Sequence, residues 1–273
     1  MRFIAKKYGL ADILYTEWES AEGLWRIKKR GEIENKIWQD LRFDKTQGPN
    51  IVQLFGSDPE SFYESAKIVC EMGFDGIDIN MGCPSPGLER RGGGAGLIRD
   101  KCNAVEVVEA TRRGVADYCS QLTDHRLQTR EIPVSLKTRI GSDKPDPKWW
   151  EVIAGLKMPA VAMHGRTFKQ LYSGEADWEV LLQAAEVIRE SGALFLGNGD
   201  ITKIFDQFGP VPFFGSAAST SQCSEGVPAP KSDSSCTDSQ KFIVESKSGR
   251  VVELSGKMDG VLIGRGAIGN PWI

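Results

Sequence analysis

Cys83 lies in Asn80-Met81-Gly82-Cys83-Pro84, directly after a short apolar run, and is the best-placed reactive side chain of this 273-residue sequence. A proline cannot continue a strand ladder, so the thiol stands at a strand end and faces whatever the strand ends enclose. A free cysteine is more often a small buried hydrophobe. That description suits Cys70, Cys102 and Cys119, which fall in helical stretches. An ordinary thiol, with a pKa of about 8.5, keeps its proton at neutral pH and can act as an acid.

The run Arg90-Arg91-Gly92-Gly93-Gly94-Ala95-Gly96 follows. So many glycines form either a flexible flap or a backbone that approaches a ligand closely. Its place shortly after a strand-end cysteine points to a mobile active-site loop. Two further glycine-bracketed segments, Gly197-Asn198-Gly199-Asp200 and Gly264-Arg265-Gly266, end later apolar runs. Backbone N–H groups and a short helix N-terminus at such turns make a phosphate site, and Arg265 adds a fixed positive charge.

The elements that must hold these residues are short β-branched runs: Ile13–Thr16, Ile51–Phe55, Gly76–Asn80, Val134–Arg139, Ala160–His164, Leu194–Gly197 and Gly260–Ile263. Each reads as a buried parallel strand. Amphipathic stretches lie between them. Pro59–Met72 has Asp58 as N-cap and Gly73 as stop, Ala104–Leu122 is similar, and Trp178–Ser191 is capped by Asp177 and stopped by Gly192. The alternation means an α/β fold with a parallel sheet. Asn80, Lys137, Arg139, His164, Asn198 and Arg265 all fall at the C-terminal ends of different strands. A (β/α)8 barrel gathers such ends at one mouth, whereas a doubly wound open sheet spreads them along an edge. The expected fold is therefore a (β/α)8 TIM barrel, incomplete, with about seven of its eight strands.

Residues 1–205 are expected to form the barrel, 206–257 an insertion, and 258–273 the last strand with its phosphate-binding turn. Gly215–Asp238 is rich in Ser, Gly, Pro, Thr and Asp and reads as a disordered loop. Lys241–Glu245 and Arg250–Leu254 flank Ser246-Lys247-Ser248-Gly249 as a β-hairpin. Cys223 and Cys236, inside the insertion, are read as incidental.

Bulk properties exclude several classes. No run of about 18 apolar residues exists, so no helix should span a bilayer. The start Met1-Arg2-Phe3-Ile4-Ala5-Lys6-Lys7 lacks the apolar core of a secretory signal, which sets the expected location as cytoplasmic. Six cysteines without a Cys-x-x-Cys pair, and only two histidines, argue against a metal site or a disulfide framework. The net charge of −3 does not by itself point to a nucleic acid, although Lys28-Lys29-Arg30 and Arg90-Arg91 are local basic patches.

Asp78–Pro84, Lys137-Thr138-Arg139, His164-Gly165-Arg166-Thr167, Tyr172–Trp178, Gly197-Asn198-Gly199-Asp200 and Ile263–Trp272 together resemble the successive motifs of the tRNA-dihydrouridine synthases. They stand in family order and cover about residues 1–201 and 258–273. The resemblance implies an FMN-dependent barrel followed by a small helical domain, reducing tRNA uridines with NADPH. It implies flavin contacts from Gln53, Lys137, His164, Asn198, Gly199, Gly264 and Arg265, a proton donor at Cys83, and substrate contacts from Asn80, Arg139 and Arg166. It also implies a tRNA partner; a monomer is expected, and the bulk properties above point to neither membrane nor metal. The family's first strand would precede Met1 and its helical domain would follow Ile273. Family members often carry a lysine soon after the Cys-Pro pair; Ser85-Pro86-Gly87-Leu88 has none.

On this resemblance, hydride reaches C6 of the uracil from the flavin, Lys137 or Arg139 stabilises charge on the C4 oxygen, and Cys83 protonates C5. The base leaves the stack to react, which costs least in a loop. Two other readings remain open: an FMN barrel oxidoreductase acting on a small molecule, and an inactive barrel.

Overall fold

The computed structural model describes residues 13–32, 35–44, 48–122, 132–206, 209–210, 243–246, 249, 251–254 and 256–262. The expected Gly264 and Arg265 contacts, the cysteines at 223 and 236, and most of the insertion lie outside these residues.

Seven strands form one parallel sheet in the order β1-β2-β3-β4-β5-β6-β11. They are β1 (Leu14–Ser20), β2 (Asn50–Phe55), β3 (Gly76–Asn80), β4 (Val134–Arg139), β5 (Ala160–His164), β6 (Leu194–Asn198) and β11 (Gly260–Val261). Helices α1 (Ala21–Arg30) and α2 (Lys36–Asp40) follow β1, and α3 (Pro59–Met72) follows β2. Helix α4 (Pro86–Glu89), a 3-10 turn (Gly94–Ile98) and α5 (Lys101–Ser120) follow β3. Helix α6 (Pro147–Gly155) follows β4, and α7 (Trp178–Arg189) follows β5. This is an incomplete (β/α)8 barrel. Among the described residues the sheet does not close, and β1 and β11 stand at its edges.

Local sequence explains where the helices start. Asp58 accepts the Ser61 N–H (2.9 Å) at the start of α3, and Asp177 accepts the Val180 N–H (3.0 Å) at the start of α7. Asp146 caps α6 in the same way and is followed by Pro147 at the first helical position. Gly73 ends α3 in the left-handed conformation, φ 88°. Packing then fixes the layers. Trp149, Trp178, Phe62 and Phe195 are almost wholly buried between strands and helices, each contributing about 1.5–3 kcal/mol or more of apolar burial. Helix α5 lies on α3 at Gly114, where an added Cβ would stand 2.3 Å from the Tyr63 carbonyl oxygen. Any side chain there would push the two helices apart.

Strand β7 (Ile201–Asp206) begins after only Gly199 and Asp200 have followed β6, where a barrel would place a helix. With β8 (Gly209–Pro210), β9 (Ile243–Ser246) and β10 (Val251–Glu253) it makes a four-stranded antiparallel sheet, order β10-β9-β7-β8. Strands β9 and β10 pair with Val251 opposite Glu245 and Glu253 opposite Ile243. Val244 and Leu254 are buried, joining this sheet to the main core. Among the described residues no helix is long and apolar enough to cross a membrane.

Candidate active site

Strand alternation puts every second residue on one face, and the parallel register stacks these residues in layers. Gln53, Asp78 and Ser135 are neighbours in the first layer. Asn80 and Lys137 are neighbours in the second, one step nearer the C-terminal strand ends. Arg139, His164 and Asn198 are neighbours in the third. Six of the residues expected at the site therefore share one face of the sheet: Gln53, Asn80, Lys137, Arg139, His164 and Asn198.

The first two layers are joined by hydrogen bonds. Asp78 is buried and its Oδ1 accepts from Ser135 Oγ (2.7 Å), while its Oδ2 accepts from Gln53 Nε2 (2.7 Å). Gln53 Oε1 accepts from Asn80 Nδ2 (2.9 Å). Asn80 Oδ1 in turn accepts the N–H groups of Gly82 (3.1 Å) and Cys83 (2.8 Å). Burial pushes the Asp78 carboxyl up to about 6, against the bonds from Ser135 and Gln53 and the charge of Lys137. Tyr15, from β1, is pushed up to about 12 by burial and by the nearby Asp78 charge.

The glycine run is a buttress rather than a flap. Residues 93–98 are buried, and the Ala95 N–H donates to the Cys83 carbonyl (3.1 Å). At Gly94, φ 56°, a Cβ would meet Leu88 Cδ2 at 2.9 Å and the Cys83 carbonyl oxygen at 3.0 Å. A Cβ at Gly93 would meet the Gly56 oxygen at 2.9 Å. The glycines let the chain fold tightly behind the cysteine, so composition that reads as mobility serves close packing instead. Cys83 itself is half-buried.

Lys137 is half-buried, and its Nζ makes no hydrogen bond or ion pair with a described residue. Burial and the neighbouring Arg139 push it down to about 8, opposed by Asp78 and Cys83. His164 is pushed down to about 3 by burial and by the charges of Lys137, Arg139 and Arg166. It is neutral at physiological pH. Its Nδ1 accepts the Arg166 N–H (3.1 Å), which leaves the ring proton on Nε2 as a donor. Arg139 spends Nε on the Gly82 carbonyl (2.8 Å) and Nη1 on the Thr167 carbonyl (3.0 Å), tying the loops after β3 and β5 to β4.

Arg166 is deeper than a substrate-facing residue would be. It is 4% exposed. Nε donates to the Ser173 carbonyl (3.2 Å), Nη2 to the Gly174 carbonyl (2.6 Å), and the guanidinium also pairs with Asp200. Burial raises the Asp200 carboxyl, but Arg166 and the Ala176 N–H outweigh it and hold it below its ordinary value. Asn198 donates from Nδ2 to the Leu262 carbonyl (2.6 Å), bracing the short β6–β11 contact. At Gly199, φ 128°, a Cβ would lie 2.6 Å from Ala176 Cβ and 3.4 Å from His164 Nε2. Gly197 makes room for Trp178, whose ring would be 2.6 Å from a Cβ there.

Comparison with known proteins follows the same residues. The family model described as Dihydrouridine synthase (Dus) matches residues 1–208. The chain belongs to the dihydrouridine synthase family. It is 29% identical over 205 residues to a probable tRNA-dihydrouridine synthase of Staphylococcus aureus (strain N315), covering 73% of this chain and 56% of that protein. It is 27% identical over 218 residues to probable tRNA-dihydrouridine synthase 2 of Bacillus subtilis (strain 168), covering 76% of this chain and 61% of that protein. The chain thus spans somewhat over half the length of these relatives.

Within this dihydrouridine synthase fold, Asp78, Ser135, Asp200 and Gly94 also shape the site; Asp78, Gly94 and Asp200 stand in the quoted motifs without a role of their own, and Ser135 stands only within the strand Val134–Arg139. Asp78 had a readable signal: it is two residues before Asn80 and so shares its strand face. Asp200 closes the Gly197–Asp200 motif, but its partner Arg166 is 34 residues away and no local pattern connects them.

Proposed function

We propose that this chain carries out the central chemistry of a tRNA-dihydrouridine synthase: two-electron reduction of the uracil 5,6 double bond in tRNA, with FMN as bound cofactor and NADPH as reductant. The observation that carries the reading is the layered face described above, with Cys83 at its rim and beside it the ammonium of Lys137, which bonds to none of the described residues.

The donor set fits a flavin. Gln53, Lys137, His164, Asn198 and Gly199 would hold it, with Gly264 and Arg265 at its phosphate. The cationic Lys137 and the neutral Nε2–H donor of His164 suit an electron-rich ring that gains negative charge on reduction. When bound, FMN supplies hydride to C6 of the uracil. Cys83 holds the proton for C5 on its thiol, and Asn80 fixes the backbone that carries it. Lys137, one layer below Arg139, places positive charge where the uracil oxygen becomes negative. Arg139 positions the loops around that oxygen and adds its charge to the mouth, while Arg166, neutralised by Asp200, braces the loop beside it.

The test has two parts. The purified chain is titrated with FMN and followed by its visible absorbance; Lys137→Met is expected to weaken binding at least about tenfold, the size of one charge-assisted contact. Cys83→Ala is expected to keep FMN binding and flavin reduction by NADPH while losing dihydrouridine formation in tRNA. Dihydrouridine formation by Cys83→Ala at the parent rate would assign the acid to another group. A chain that takes up no FMN at any concentration would overturn the flavin reading.

A further inference from the structure

We propose that Asp78 is a positioning residue that sets the direction of a hydrogen-bond relay, Asp78 to Gln53 to Asn80 to the backbone of Gly82 and Cys83, and thereby holds the Cys83 segment in place. The inference rests on the reading of Cys83 as the working thiol.

The argument is one of polarity. An amide side chain has a donor end and an acceptor end, and nothing in its shape decides which way it turns. Two such amides, Gln53 and Asn80, stand in series here. An ionised carboxylate only accepts, so Asp78 obliges Gln53 to present Nε2, at 2.7 Å. Gln53 must then present Oε1 to Asn80, which answers with Nδ2 at 2.9 Å. Asn80 has only Oδ1 left, and it receives the N–H groups of Gly82 and Cys83. Were the relay reversed, the Asn80 amide would meet two backbone donors with a third donor. The three side chains of the relay, Asp78, Gln53 and Asn80, are buried, and only its last bond, to the N–H of the half-buried Cys83, is partly exposed. Water therefore cannot substitute cheaply for a lost partner.

Two neighbours of Asp78 agree with this direction, against the burial that favours its protonated form. Ser135 donates to the remaining carboxylate oxygen, and the Lys137 charge favours the ionised form. The Gln53 backbone N–H is taken by Thr16 Oγ1 (3.0 Å), which fixes the strand that carries the amide. Behind Cys83 the Ala95 N–H holds its carbonyl. The thiol thus sits between a relay that fixes its N–H and a glycine buttress that fixes its C=O.

The test reads the amide hydrogens directly, by hydrogen exchange of the Gly82–Cys83 segment in the full chain, resolved by mass spectrometry. In Asp78→Asn the new amide can offer a donor to Gln53, and protection of the two amides is expected to fall about tenfold. Gln53→Glu alone sets two carboxylates against each other and is expected to do the same. The double variant Asp78→Asn with Gln53→Glu moves the negative charge one place along the relay. Its residue 53 still accepts from Asn80, so protection is expected to return to within about twofold of the parent. A role confined to filling space would make the two losses add, and a double variant no better than the worse single one overturns the proposal. Should the single variants fail to fold, Asn80→Ala removes the last link without touching Asp78; unchanged protection in that variant also overturns it. The readout is separate from catalysis. A Cys83→Ala variant that forms product at the parent rate sinks the reading of the thiol and leaves the relay standing. Unchanged exchange in Asp78→Asn and Asn80→Ala sinks the relay and leaves the thiol its role.

Discussion

Arg166 and Asp200 meet as a bidentate pair, Nη1 to Oδ1 at 2.8 Å and Nη2 to Oδ2 at 2.6 Å. The pair joins the loop after β5 to the turn after β6. The other guanidinium donors reach two carbonyls of the segment 173–174, so a single arginine holds three stretches of chain.

Asp200→Ala should therefore destabilise the fold by about 3–5 kcal/mol, the cost of leaving a buried charge without its partner. The Asp200 carboxyl is held below its ordinary value in the fold. Its contribution is complete above the unfolded carboxylate pKa of about 3.9 and is lost as pH falls through the lower folded value. Urea unfolding at pH 7 and near pH 3 should show parent and variant converging at the acid end. A difference that does not shrink with acid would show that the carboxylate charge is not what stabilises.

His164 predicts a pH dependence over a different range. Its folded pKa of about 3 lies well below the unfolded value of about 6.5. As pH falls from about 6.5 towards 3, the unfolded chain takes a proton that the folded chain refuses, so stability declines across that window. His164→Gln should flatten the slope between pH 6.5 and 4, even if its stability at pH 7 is lower. Nitrogen NMR of the parent should show a neutral ring protonated at Nε2 and no titration between pH 5 and 8. An imidazolium signal at pH 6 would contradict the burial argument.

Gly94 is the one glycine of the buried stretch 93–98 held at positive φ. Gly94→Ala combines a left-handed backbone with contacts at 2.9 Å to Leu88 and 3.0 Å to the Cys83 carbonyl. The expected cost is about 1–3 kcal/mol. Exchange of the Ala95 amide should also speed up, since its acceptor is that carbonyl. Gly87→Ala is the control, because no atom lies within 4 Å of a Cβ there. Equal stability of the two variants would mean that the run is not a buttress.

Much of this fold was legible. Gly76–Asn80, Val134–Arg139 and Ala160–His164 have the bounds that their apolar runs imply, because buried parallel strands carry their signal locally. Strand β1 runs on to Ser20 through Glu17, Trp18 and Glu19, a polar stretch that hides a strand at the sheet edge. Strand β7 was missed because its partner β9 lies some forty residues on, beyond the reach of any local pattern. Helix α6 was missed although Asp146-Pro147 offered a cap and a helix-starting proline. At the site, strand-end polar residues identified themselves by position. Asp78 shares the strand face of Asn80 and could have been read from that spacing, but Ser135 could not, since a polar residue inside an apolar run gains meaning only when the register supplies its neighbour.

The strand that follows β6 has an electrical consequence. A helix beginning at Gly199 would turn a row of peptide N–H groups towards the mouth, with about half a positive charge at its tip. A strand has alternating peptide dipoles that nearly cancel. The turn at Gly199 and Asp200 therefore brings almost no field of its own, and the carboxylate of Asp200 brings a negative one. Among the described residues, an anionic group approaching this corner would be attracted by side chains, with Arg166 offsetting Asp200 and with Arg139 and Lys137 left in excess. At this corner the attraction should depend on which side chains are charged, and so on pH, where a helix tip would have attracted the same group at any pH.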